Sequence, residues 1–204
     1  MIIKVCGMRE PQNIREVAAL AINWIGFIFY ERSKRFVERC PTEQQVTDSE
    51  QLSPKKVGVF VNATIEAMME QASAYKLDYL QLHGNESPED CHTLQKRGYS
   101  LIKAFPIATK EDFEKTREYE GRVDYFLFDT RCEGYGGSGK RFDWSILTEY
   151  KRETPFLLSG GIRPENAEAI RNFRHPRFAG IDLNSGFEIE PGLKDCLLYT
   201  SDAA

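Results

Sequence analysis

No apolar stretch in this chain approaches the ~18 consecutive residues that a membrane-spanning helix needs; the longest, at 24–29 and 56–61, are strand-sized. A bilayer span is therefore not expected. The opening Met1-Ile2-Ile3-Lys4-Val5-Cys6 has neither a charged leader nor a long apolar core, so no secretory signal is read and the cytoplasm is the expected compartment. A cationic excess is also missing, since 27 Lys and Arg face 31 Asp and Glu for a net charge of -4. Attraction to a phosphate backbone needs clustered Lys and Arg, so nucleic acid is not an expected partner. The five cysteines, at 6, 40, 91, 132 and 196, contain no C-x-x-C pair, and the three histidines are scattered. This spacing argues against a disulfide framework and a zinc site, and no metal is expected.

What is present is a regular alternation. Short apolar or β-branched runs at 2–6, 24–29, 56–61, 79–82, 100–105, 125–128, 156–158 and 179–183 predict eight strands. Between them, helical patterns fall at 11–20, 64–75, 87–97, 109–119, 143–150 and 164–172, with a weaker one at 42–52. Strands that read as near-continuous apolar runs and alternate with helices indicate a parallel sheet buried on both faces. The 204 residues suit one domain rather than two. The expected fold is α/β, a small (β/α)8 TIM barrel. An open doubly wound sheet is the alternative, disfavoured because no strand stands out as an edge.

Function in such a barrel gathers where strands end and loops begin. Three clusters lie there. The Gly-rich run from Gly134 to Lys140 nearly satisfies a P-loop, yet Arg141 stands where Ser or Thr would hold magnesium, and the loop reads either as a bland flexible connection or as a phosphate contact. The turns Ser159-Gly160-Gly161 and Asn184-Ser185-Gly186 follow strands seven and eight, where backbone N–H groups can converge on an anion, and a phosphorylated small molecule is the ligand they suggest. Cys6 and Asp129 end strands one and six. They read either as a small buried hydrophobe and a turn former or as a base and an acid, with Lys4 on the face of Cys6 to stabilise a thiolate. His83 is a ligand contact or a hydrogen-bonded structural residue; His92 and His175 are expected at the surface, and Arg32, Lys34 and Arg35 form a cationic loop.

Taken in order, Lys4-Val5-Cys6-Gly7, the segment from Gly26 to Tyr30 with that from Ser33 to Val37, the segment from Val57 to Asn62, Leu80-Gln81-Leu82-His83-Gly84, Phe128-Asp129-Thr130 with Gly136 to Gly139 and Phe142-Asp143-Trp144, Ser159-Gly160-Gly161-Ile162, and Asp182-Leu183-Asn184-Ser185-Gly186 resemble the phosphoribosylanthranilate isomerase family. The resemblance implies a cofactor-free Amadori rearrangement in tryptophan biosynthesis, with a phosphosugar as substrate. It implies Asp129 as the general acid that opens the furanose, Cys6 as the base that removes the C2′ proton, and Arg35, His83 and Asp182 as substrate contacts. Gly137, Ser138, Gly139, Gly160, Gly161, Ser185 and Gly186 would hold the phosphate. Met8, Lys34, Ser138 and Asn184 depart from the residues usual in the family and bear on substrate positioning only.

A larger departure follows Asp195. The family continues into an amphipathic helix, whereas the string from Cys196 to Ala204 resembles the translation of a sequencing adaptor. The expectation is a single phosphate-binding barrel over 1–195 with its last helix truncated, and a non-native tail over 196–204. Two rivals remain for the function. One is the histidine-pathway aminoaldose isomerase, which characteristically uses two carboxylates and is disfavoured by Cys6; the other is a non-enzymatic phosphometabolite-binding protein.

Overall fold

In a computed structural model that describes residues 1–37, 54–130 and 144–199, eight parallel strands close on themselves in sequence order. They are β1 (Ile2–Cys6), β2 (Trp24–Ile28), β3 (Lys55–Phe60), β4 (Tyr79–Leu82), β5 (Ser100–Pro106), β6 (Tyr125–Asp129), β7 (Phe156–Ser159) and β8 (Phe178–Leu183). Closure is made by β1, which pairs with β2 on one side and β8 on the other, setting Lys4 opposite Trp24 and opposite Asp182. The eight expected strands are all present, with no end displaced by more than a residue.

The strand sequences explain why two cores form. Successive side chains point to opposite faces, so in β6 Phe126 and Phe128 pack outward in the large core between sheet and helices, while Leu127 packs inward. Inside the barrel Trp24 stacks on Tyr79, their centroids 4.6 Å apart, and Tyr125 meets both edge-on. This aromatic plug fills the barrel's lower half with Val57, Ile102, Ala104, Leu127 and Leu157. The same alternation carries Lys4 and Cys6, Gln81 and His83, and Asp129 to the inner face above the plug.

Among the described residues four α-helices lie outside: α1 (Pro11–Ala18), α2 (Ile65–Ala74), α3 (Pro88–Lys96) and α4 (Ala167–Asn172). Thr64 caps α2 by accepting from Ala67 N at 3.2 Å, and Ser87 with Asp90 forms a capping box on α3. The helix expected over 109–119 is instead a 3-10 helix (Lys110–Tyr119), with Phe113 and Thr116 its buried residues. The unit after β6 is likewise 3-10 over Trp144–Glu149; residue 143 and the weaker helix at 42–52 lie outside the described residues. His175 differs from expectation: it is half-buried, its Nδ1 accepts from Arg177 N at 3.0 Å, and its ring packs on Phe156. His92 is half-buried as well. Residues Cys196–Tyr199 form one 3-10 turn in which Leu197 is 77% exposed. Among the described residues no helix is long and apolar enough to cross a membrane.

Beyond β8 the chain adds a hairpin, β9 (Glu188–Glu190) and β10 (Leu193–Lys194). Asn13 on α1 anchors it: Lys194 N donates to Asn13 Oδ1 at 2.8 Å, and Asn13 Nδ2 donates to Lys194 O at 3.0 Å. The loop after β4 has its own anchor in Glu86, which accepts from Asn62 N, Gly84 N and the Lys103 ammonium. Both Lys103 and Glu86 are buried. Replacing Glu86 by Ala leaves a buried ammonium without its counter-charge and is expected to cost about 3–5 kcal/mol. Urea unfolding of the variant beside the parent checks this; an unchanged midpoint contradicts it.

Candidate active site

One cleft of about 1070 Å³, its open mouth included, lies over the C-terminal ends of the strands. Cys6, Arg35, His83, Gly160, Gly161, Asp182, Ser185 and Gly186 all line it, so eight expected site residues converge although they come from opposite ends of the chain. Asp129 ends β6 at the same rim, its Oδ2 3.9 Å from His83 Nε2. Gly137, Ser138 and Gly139 lie outside the described residues.

The surroundings of Cys6 follow from barrel closure. Lys4, one inward position below it on β1, is fully buried and donates to Asp182 Oδ1 at 2.9 Å across the β1–β8 seam. Gly26 on β2 is the strand partner of Cys6. A Cβ there would stand 2.8 Å from Cys6 Sγ and 3.2 Å from Lys4 Nζ, so only glycine leaves room for thiol and ammonium side by side. Burial alone would lower the Lys4 ammonium, but Asp182 and then Cys6 outweigh it and hold Lys4 above its ordinary value.

The thiol itself moves the other way from the sequence expectation. Burial pushes Cys6 up, Lys4 pulls it down, Asp182 pushes it up again, and Lys194 adds a smaller pull downward; the net result lies above the ordinary thiol range. Lys4 is present as expected, but it is also paired with Asp182, and burial outweighs its pull on the thiol. Alkylation should therefore be slow at neutral pH and still accelerating past pH ~8.5, where an ordinary cysteine levels off. Lys4→Met removes the cation and leaves Asp182, and should move the profile further to alkaline pH. The Cys6 peptide followed by mass spectrometry reads this without interference from Cys91, whose thiol burial pushes up to about 12. A profile levelling off below pH ~8 would overturn it.

Arg35 lines the cleft as expected, yet most of its fork is taken. Its Nε donates to Glu188 Oε1 at 2.8 Å and its Nη2 donates to Glu188 Oε2. Nη1 is the end of the guanidinium with no partner among the described residues. Glu188 also accepts from Lys194 Nζ at 2.6 Å, and Lys194 donates to Asn184 Oδ1 at 2.8 Å. Although burial favours the neutral acid, Arg35 and Lys194 hold Glu188 below the usual carboxylate range. The same burial lowers Lys194 despite Glu188. Two cations on one carboxylate leave a surplus positive charge at this end of the cleft, suited to an anionic group.

After β7 the chain turns sharply. Gly160 and Gly161 have φ of +96° and +65°, a left-handed pair that L side chains adopt only with strain. Gly186 packs so tightly on this loop that a Cβ would lie 2.1 Å from Ile162 O. The two turns after β7 and β8 thus sit against each other. Gly26, Gln81, Glu188 and Lys194 are site residues that the sequence reading did not select. Gln81 carried a signal, being a polar residue within an apolar strand; nothing in the sequence marked Glu188 or Lys194.

Comparison with known proteins agrees with this geometry. Residues 3–200 match the family model described as N-(5′-phosphoribosyl)anthranilate (PRA) isomerase. The chain is 97% identical over 195 residues to a protein of that name from Parabacteroides distasonis, covering 96% of this chain and 88% of the relative. It is 50% identical over 197 residues to one from Phocaeicola vulgatus, covering 96% and 92%. The crystal structure of phosphoribosyl anthranilate isomerase from Thermotoga maritima superposes with a TM-score of 0.84 at 33% identity, covering 100% of this chain and 98% of that one. A structure of that isomerase in complex with reduced 1-(o-carboxyphenylamino)-1-deoxyribulose 5-phosphate superposes with a TM-score of 0.80 at 28% identity, covering both chains in full.

Proposed function

Because this chain belongs to the N-(5′-phosphoribosyl)anthranilate isomerase family, we propose that Asp129 and Cys6 are the acid and base of its reaction. The activity is the isomerisation of N-(5′-phosphoribosyl)anthranilate in tryptophan biosynthesis. Asp129 gives its proton to the furanose oxygen, the C1′–O bond breaks, and the nitrogen lone pair forms a C1′=N iminium. Cys6 then takes the C2′ proton, and the released electron pair neutralises the iminium to an enolamine. Loss of the 2′-hydroxyl proton and protonation at C1′ give the ketone. The iminium is the electron sink, so the reaction needs no cofactor. Its positive charge also answers the raised thiol of Cys6, because a cation arriving beside the sulfur favours loss of the thiol proton to solvent and leaves the thiolate that accepts the C2′ proton.

The observation that carries this reading is the polarity of one continuous cleft. Arg35, with Ile28, Tyr30, Val59 and Val61, offers an aromatic carboxylate a cation and apolar walls, while the turns at Gly160–Gly161 and Ser185–Gly186 form a glycine-lined pole of the same cleft. We assign the first to the anthranilate and the second, with Gly137 to Gly139, to the phosphate. Asp182 stabilises Lys4 and faces the amine side of the substrate; His83 stands beside the acid. Residues 1–195 act as one barrel domain on a small phosphosugar, and the buried free thiols Cys6 and Cys91 suit a reducing cytoplasm. Rapid consumption of N-(5′-phosphoribosyl)anthranilate by the purified chain tests the activity; its absence in folded protein overturns the reading.

Phosphate recognition through backbone N–H groups makes a further expectation. Gly186→Val drives a side chain into Ile162 O and should weaken binding of the reduced product analogue at least ~10-fold, about 1.4 kcal/mol. Ser185→Ala, which leaves the backbone in place, should change it by less than about threefold, under ~0.7 kcal/mol. Calorimetry on both variants decides; equal affinities would remove the phosphate from this pole.

A further inference from the structure

Gln81 is 1% exposed, lies on the inner face of β4 and lines the cleft. Its Nε2 is spent on His83 Nδ1, 3.0 Å away. With that nitrogen accepting, the ring proton of His83 sits on Nε2, the atom 3.9 Å from Asp129 Oδ2. The other end of the amide, Oε1, is buried and has no hydrogen-bond partner among the described residues. An unmet buried acceptor costs free energy that folding alone does not return.

The strand register shows what surrounds it. Gln81 pairs with Val59 on β3, which pairs with Ile28 on β2, and both of these line the cleft. On its other side it pairs with Ile102, part of the apolar plug. None of these neighbours carries a side-chain donor. Among the described residues Oε1 is thus left as an acceptor for a donor that enters with the ligand.

We propose that Gln81 is a substrate-binding residue whose Oε1 accepts a hydrogen bond from one N–H or O–H donor of the reacting sugar-amine. It rests on the cleft being the isomerase site. The donors available there are the bridging amine and the sugar hydroxyls, and the residue's contact with His83 places its amide next to the acid, where the ring opens. A site built around a buried acceptor rejects an analogue lacking the matching donor, because the acceptor is then left unpaired.

The test is a ligand–residue cycle with the reduced product analogue, a version with oxygen in place of the bridging N–H, and versions each lacking one hydroxyl. Parent protein, Gln81→Leu and Gln81→Met are compared by calorimetry; the second variant fills similar volume with a flexible chain, so a folding failure in the first does not remove the test. One alteration of the ligand should weaken binding to the parent roughly 10–100-fold and change little in either variant. If the variants bind the full analogue as tightly as the parent, or respond to every altered ligand as the parent does, Gln81 makes no such contact. A role confined to orienting His83 would lower all affinities or rates together without this selectivity, and would equally overturn it. Failure of the parent to bind the analogue at all would instead count against the isomerase site itself.

Discussion

Cys6→Ala is expected to lower kcat by roughly 10²–10⁴-fold, the contribution of a positioned general base, equivalent to about 3–5 kcal/mol of barrier. The substitution is sterically mild: Cys6 is buried beside Gly26 and Lys4, and Ala removes only the sulfur. Lys4 keeps its pair with Asp182, so no buried charge is orphaned. Affinity for the reduced product analogue should stay within about threefold, under ~0.7 kcal/mol. Cys6→Ser provides the control for shape, since a hydroxyl fills the position but deprotonates far less readily than a thiol. Both variants should be inactive and folded. Near-normal kcat in either would move the base to another residue.

Asp129→Asn should lose a comparable factor, about 10²–10⁴ in kcat. The amide preserves the size of the side chain beside His83 and the end of β6, but it has no acidic proton to give the furanose oxygen. Ring opening is then the blocked step. The variant should still bind the reduced product analogue, whose ring is already open, while turning over substrate slowly at every pH. A Tm within a few degrees of the parent would show that the loss is chemical. Retention of more than about a tenth of the parent kcat, a barrier change under ~1.4 kcal/mol, would remove Asp129 from the acid role.

The periodicity of single segments carried much of this protein. In β1, β4 and β6 side chains alternate between the two faces as a local rule, which puts Lys4 with Cys6 and Gln81 with His83, but these strands are largely apolar on both faces and only closure decides which face is the inner one. Glycine turns after β7 and β8 were likewise readable, because positive φ at Gly160 and Gly161 is a property of the residue as much as of the fold. Helix type was less readable: Lys110–Tyr119 follows Thr109 and carries Asp112 in its first turn as an α-helix would, yet it is 3-10. His175 looked exposed because its partners, Arg177 and Phe156, meet it only through backbone turns and strand packing.

The amino-acid sequence by itself determined the eight strands and the identity of the residues at the barrel mouth. Only the tertiary structure decided their charges. Lys4 meets Asp182 across 178 residues because β1 pairs with β8, and Arg35 meets Glu188 across 153 because the hairpin β9–β10 folds back over the rim. Strand periodicity is a short-range steric rule, whereas the protonation of Cys6 depends on burial and on charges a few ångströms away. Those distances exist only once the barrel has closed.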